Sequence, residues 1–353
     1  MDKLSSAGGR TRRQFITQLS IYAAAFTAAA RTAEVLDARG DWKSQIGLEL
    51  YTVRDLMAKE YEGTLEKVAA IGYKEIEPAN GYNNLPPKQY RALLDRLGLA
   101  MPSTHSGASG TGVELEKQLE GFQIMGLEYT EISAAARGGA AAAGAGIGRG
   151  ARGPLPPGAY YDAGTGITHN SFTEAQAFGP YQPAVTLESV KQRAGTLNAN
   201  GRIARKFGMK VLVHNHTGEF EKLSDSPRTG YDVLLEETDP SLVTMQIDIG
   251  WVYVAGRDPI ELFKKYPGRF ELWHLKDIFG LKKVDPSLGP NARVSSMTFV
   301  PIGVGQVDFK PVFAHATLAG LKHFAIEQDN AATWGDSLSA ARVSYENLKT
   351  VLS

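Results

Sequence analysis

Residues 210–220 read Lys-Val-Leu-Val-His-Asn-His-Thr-Gly-Glu-Phe, an apolar, β-branched run that breaks abruptly into polar residues at His214. Residues 243–251, Val-Thr-Met-Gln-Ile-Asp-Ile-Gly-Trp, repeat the pattern with a carboxylate at Asp248. Residues 270–277, Phe-Glu-Leu-Trp-His-Leu-Lys-Asp, repeat it with His274 and, two residues on and so on the same side of a strand, Lys276. A fourth copy, Phe-Ala-Ile-Glu-Gln-Asp at 324–329, reaches Glu327. Short apolar runs bounded by polar residues are strands covered on both faces. Working outward from these four, further strands are expected at 46–51, 73–77, 100–105 and 129–133. Helical periodicity fills 61–70, 87–97, 113–125, 186–207, 230–237, 258–266, 308–319 and 336–352. Gly72, Gly98, Gly126, Gly208, Gly268 and Gly320 stand where those helices would stop.

Strand and helix alternating eight times over about 310 residues predict an α/β chain folded as a (β/α)8 TIM barrel over 45–353. A doubly wound sheet is the rival. Polar residues collect at the C-terminal ends of the strands: Glu49, Glu77, His105, Glu131, His214, Asp248, His274 and Glu327. In a barrel those ends form one ring around one pocket, whereas an open sheet gathers only those near its switch point. Two insertions interrupt the repeat. Residues 134–184, rich in Ala, Gly and Pro, follow the fourth strand and would sit over the pocket as a lid or as slack loop. Residues 279–301 follow the seventh strand and would wall the pocket. Gly146-Ile-Gly148-Arg-Gly150-Ala151 imitates a dinucleotide fingerprint, but no hydrophobic helix follows it, so a nicotinamide cofactor is not expected.

The 353 residues carry 38 basic and 38 acidic side chains, which gives no electrostatic footprint for nucleic acid. Cysteine is absent, which excludes disulfides, thiolate chemistry and thiolate-held metals; any metal must be held by His, Asp and Glu. Residues 1–30 differ from the rest. Thr11-Arg12-Arg13-Gln14-Phe15-Ile16 is a twin-arginine pattern, an alanine-rich run follows, and Ala28-Ala29-Ala30 offers a cleavage site. The run is too short and weakly apolar for a stable membrane anchor. A twin-arginine signal and a periplasmic location are expected; an amphipathic N-terminal helix is the alternative. Self-association is left open.

Two imidazoles and two carboxylates, one from each of four adjacent strands, suit one divalent ion such as Mn²⁺, Zn²⁺, Co²⁺ or Mg²⁺. A salt-bridged barrel mouth without metal is the competing reading. The motifs V-H-N-H-x-x-E-F at 213–220, I-D-I-G-W at 247–251, W-H-L-K-D at 273–277 and I-E-Q-D at 326–329, supported by Gly47, Glu49, Tyr51 and His105, resemble the sugar phosphate isomerase/epimerase superfamily, the xylose-isomerase-like TIM barrels. The resemblance spans roughly residues 45–352. It implies metal ligation by Asp248, His274 and Glu327, with His214 at the place of a glutamate in the epimerases; His216 is the alternative ligand. In the epimerases the glutamates of the fifth and eighth strands also move the substrate proton, so another base is implied here among His216, Glu77, His105 and Lys276. Trp251 stands where the related endonucleases carry a histidine, against a DNA-repair role. Tyr51, Trp251, Phe220 and Asn215 are candidates for substrate binding, and Trp273 should point toward the helices. The implied activity is enediolate chemistry, as isomerase or epimerase, on a non-phosphorylated sugar or ketosugar. Cleavage of 3-keto-glycosides by β-elimination or hydrolysis and a non-catalytic carbohydrate-binding barrel are the alternatives.

Overall fold

Leu212 and Leu272 each stand two residues before a polar strand-end residue, and both lie with Tyr129 in a small apolar cluster separate from the main core. Period-two alternation therefore turns His214 and His274 to the same side as those leucines, the barrel interior. The computed structural model describes residues 42–79, 81–133, 159–162, 167–170, 185–281, 285 and 287–353. The expected signal segment at 1–30, the fingerprint-like 146–151 and most of the 134–184 insertion lie outside them.

Seven parallel strands form one sheet in the spatial order Glu75–Glu77, Gly47–Glu49, His323–Ile326, Leu272–Leu275, Val243–Asp248, Lys210–His214 and Tyr129–Thr130. Residues 100–104 fill the remaining gap. Ala100 N–H donates to the Lys74 carbonyl (2.8 Å), Ile76 N–H to the Ala100 carbonyl (2.9 Å), and Tyr129 N–H to the Pro102 carbonyl (3.0 Å). Pro102 has no N–H to return to its neighbour, so this eighth stave keeps only the single bridge Glu75–Ala100. The ring closes, and the open-sheet alternative falls. Trp273 is fully buried outside it, stacked on Phe263 with centroids 5.0 Å apart.

The outer helices form nearly where periodicity places them, for example Tyr61–Ile71, Pro87–Leu97 and Ser337–Leu352. Side-chain caps fix their starts: Thr186 and Ser189 close a reciprocal capping box, and Asp336 accepts from Ser339 N–H. The helix expected over 308–319 is broken into Phe309–Phe313 and Ala316–Ala319. His315 Nδ1 takes the Pro311 carbonyl at 2.8 Å, and the His315 N–H turns to Val312 instead.

Strand ends needed most correction. The first strand stops at Glu49, whose carboxylate accepts from Tyr51 N–H (2.7 Å) and starts the turn Leu50–Val53. The sixth stave stops at Asp248, which caps a short helix, Ile249–Val254, by accepting from Trp251 N–H (2.9 Å). An added Cβ on Gly250 would stand 2.7 Å from Lys276 Cβ, so only glycine lets this helix start so close to the next stave. The expected strand at 129–133 splits, and Ile132–Ser133 pairs with Ala108–Ser109. In the second insertion, Asp277–Phe279 pairs antiparallel with Thr298–Val300; within the first, Ala159–Asp162 pairs with Ile167–Asn170. Among the described residues no helix is long and apolar enough to cross a membrane.

Candidate metal centre

The register sets Asp248 beside His274 and His274 beside Ala325, so neighbouring staves deliver their polar ends at similar heights. Ligand atoms of Asp248, His274 and Glu327 all lie within 4.8 Å of one another, and so do those of His105, His214 and His274. Three of the four expected ligands therefore converge as one set. His214 joins through His274 and His105, its ring centroid 4.9 Å from His274 and 4.8 Å from His105. His216 belongs to neither set; its ring lies 5.6 Å from Trp251.

Whether these residues suit a cation is answered by atoms that the protein leaves unmatched. His214 Nδ1, Asp248 Oδ2 and His274 Nδ1 are buried without a hydrogen-bond partner. Buried polar atoms are rarely left so. His274 Nδ1 is 2.8 Å from Glu327 Oε2, close yet out of line for an N–H bond. Burial opposes a charge on His274, but Glu77 and Glu327 beside it win and push its pKa up to about 10. Burial raises Asp248 to about 6, only partly offset by the Lys276 ammonium. The carboxylates thus call for positive charge at this point, and the nitrogen and oxygen donors are those a divalent ion takes.

Glu77 sits beneath this set rather than in the cavity. It accepts from Gln246 Nε2 (2.7 Å) and Ser103 Oγ, and its Oε1 lies 2.9 Å from His105 Nε2 and 3.2 Å from His274 Nε2. Burial would raise its pKa, but the two imidazoles hold it well below the carboxylate range. A carboxylate so surrounded has no free lone pair facing a substrate, so the geometry makes Glu77 an orienter of His274 and His105. Lys276 is fully buried, 2.8 Å from Asp329 Oδ2, 3.0 Å from Glu327 Oε1 and 3.6 Å from Asp248 Oδ2, over the rings of Trp251 and Phe299. Burial works against its charge, but those three carboxylates hold its pKa well above the lysine range. Asp277, adjacent in sequence, is not its partner: it accepts from the N–H groups of Gly303, Gly305 and Val307 and shapes that loop.

A cavity of ≈ 490 Å³ opens at these strand ends, its wall including Glu49, Tyr51, His105, His214, His216 and Glu327. Burial and the neighbouring Glu327 push Glu49 well above the carboxylate range. For His214, burial and three nearby imidazoles act together and lower it well below the imidazole range. His105 goes the other way: Glu77 outweighs burial and raises it. Three expected substrate contacts lie elsewhere. Asn215 is fully buried and holds the Asp248 N–H (3.1 Å); Trp251 packs edge-on against Phe299; Phe220 packs on Tyr231 in the core. Sequence reading left Gln246, Glu131, Arg193 and Asp329 without roles. Gln246 was findable, since it lies two residues before Asp248 and must face the same way.

An eight-stave parallel barrel with a nitrogen–oxygen donor set and a polar cavity at its strand ends defines a class of metal-competent barrels. Within it, the chain belongs to the xylose isomerase-like TIM barrel family, which matches residues 65–343. The inosose dehydratase of Clostridium tetani is 36% identical over 137 residues, 37% of this chain and 44% of that protein, so the chain spans less than half of that relative. A sugar phosphate isomerase/epimerase from Parabacteroides distasonis superposes with a TM-score of 0.57 at 17% identity, over 88% of this chain and 95% of the other. The IOLI protein, whose crystal structure holds a zinc atom, superposes with a TM-score of 0.55 at 13% identity, over 88% and 98%. These two likenesses show the fold.

Proposed function

We propose that the protein is an exported, divalent-metal-dependent enzyme that removes a proton next to the carbonyl of a non-phosphorylated sugar or ketosugar, giving an enediolate that an isomerase or epimerase would reprotonate. The observation that carries this reading is the set of unmatched buried atoms on His214, Asp248 and His274 beside Glu327. Asp248, His274 and Glu327 would hold the ion, with His214 as a further donor, and the ion would supply polarisation of the carbonyl and stabilisation of the developing oxyanion. His216 faces the cavity outside both ligand sets and is the side chain we assign as base. His105, whose imidazole keeps its proton beside Glu77, is placed to return one. Lys276 stabilises the carboxylates around it rather than acting on the substrate. Among the described residues the cavity wall holds one guanidinium and no lysine, which suits neutral hydroxyls better than a phosphate. The twin-arginine pattern at 11–16 supports a periplasmic location.

A second reading has its own support. Elimination, as in a lyase, needs one base and a leaving group rather than two shuttling glutamates; His214 occupies the place of one of those glutamates, and the dehydratase likeness points the same way. Elemental analysis of the purified protein, followed by a ketosugar panel in D₂O read by NMR, tests both. One divalent ion per chain and deuterium entering beside the carbonyl are expected, with an unsaturated product marking elimination. Full turnover by metal-free protein would overturn the proposal, and metal without exchange into any sugar would leave a carbohydrate-binding barrel.

A further inference from the structure

The cavity continues past the donor set. Beyond His214 and His216 its wall is made by Glu131, Arg193 and Thr196, side chains that the proposed chemistry does not use. Pockets of about 300–1,000 Å³ take ligands of drug size, larger than one sugar ring. Arg193 lies on the helix Leu187–Ala204, and among the described residues its guanidinium has no hydrogen-bond acceptor, although its charge is felt at Glu131. The wall therefore offers five donors of a planar fork beside the acceptor oxygens of Glu131, with Glu219 also lining the cavity. The carboxylates of Glu131 and Glu219 on the same wall disfavour an anionic group there. A pair of neighbouring neutral hydroxyls meets a donor and an acceptor at once.

We infer that Glu131, Arg193 and Thr196 form a second sugar subsite, so that the substrate is a glycoside or disaccharide whose non-reacting ring rests there. The inference builds on the carbohydrate reading above. Calorimetry on the Mn²⁺-loaded protein with cellobiose, maltose and sucrose against glucose and fructose tests it, repeated on Arg193→Ala and on Thr196→Trp, which fills the wall. At least one disaccharide should bind ~10-fold or more tightly than either monosaccharide, the scale of hydrogen bonds to a charged group. Both substitutions, at exposed positions, should erase that difference while leaving monosaccharide affinity within about twofold. Equal affinity for one and two rings, or an equal loss for both in the variants, overturns the subsite and leaves the carbohydrate reading standing. No binding of any of the five sugars overturns the subsite, while the ketosugar panel in D₂O tests the carbohydrate reading separately.

Discussion

The two ends of the barrel both bury charge, and they treat it differently. At the N-terminal end, Glu271 Oε1 lies 2.8 Å from Lys210 Nζ and 3.3 Å from Lys322 Nζ, while Oε2 accepts from the Tyr129 hydroxyl at 3.0 Å. His323 Nδ1 meets Glu75 at 2.9 Å. These clusters satisfy themselves. At the C-terminal end, His214 Nδ1, Asp248 Oδ2 and His274 Nδ1 are buried without a hydrogen bond, although Lys276 and Glu327 lie near the last two. A buried ionic cluster that closes on itself fixes the fold, whereas one with three atoms left without a hydrogen bond suits the cation proposed above.

The largest expected effect separates the two ends most sharply. Asp248→Asn keeps a side chain able to cap the helix at Ile249 but removes a charged ligand. Metal content should fall below detection and turnover by more than ~1,000-fold, an effect of over ~4 kcal/mol, while the thermal midpoint stays within a few degrees. Metal retained at one ion per chain would show that the open end is not a cation site.

The opposite substitution breaks the other end. Glu271→Gln leaves Lys210 and Lys322 facing an uncharged amide. Breaking a buried pair costs about 3–5 kcal/mol, and the partial exposure of both lysines reduces this to ~2–3 kcal/mol. Urea unfolding should show that loss with metal content per folded molecule unchanged. A loss of metal together with stability would mean that the two ends are not independent.

Glu77→Gln sharpens the comparison, because Glu77 supports the open end without reaching the cavity. It should lower metal affinity by about 10–100-fold, the usual effect of losing a carboxylate behind a ligating histidine, with the circular dichroism spectrum preserved. Unchanged affinity in a direct metal titration would return Glu77 to the candidates for base.

Sequence reading placed the barrel, the helices and the ring of strand-end residues because each rests on local periodicity, and periodicity also turned Trp273 outward and His274 inward. It misplaced what depends on the last peptide of a strand. Asp248 ends its stave by capping a helix, so the Trp251 N–H and the Asn215 side chain are tied to Asp248 behind the cavity wall. Glu77 stood among the candidate bases because nothing in the local sequence shows that Ser103, His105, Gln246 and His274, from distant segments, all converge on it. The closed clusters at the barrel base were invisible for the same reason. Glu271 and Lys210 are 61 residues apart, and each alone reads as an ordinary charge flanking a strand.

The smallest effect tests whether the closed end titrates as a pair. Burial disfavours a charge on His323, but its hydrogen bond to Glu75 outweighs this and raises its pKa above the ordinary imidazole value. A raised folded-state pKa gives stability that is fully present below the unfolded value near ~6.5 and fades as pH rises through the folded-state pKa. His323→Gln should therefore destabilise the protein most at acidic pH, by about 1–2 kcal/mol, the scale of a hydrogen bond to a charged group, and progressively less as pH rises into the alkaline range. Urea unfolding of both proteins across that range reads the difference directly. A gap between them that ignores pH would show that the imidazole serves the base of the barrel as a neutral hydrogen-bonding group, and that the contrast between the two ends lies in hydrogen bonding alone.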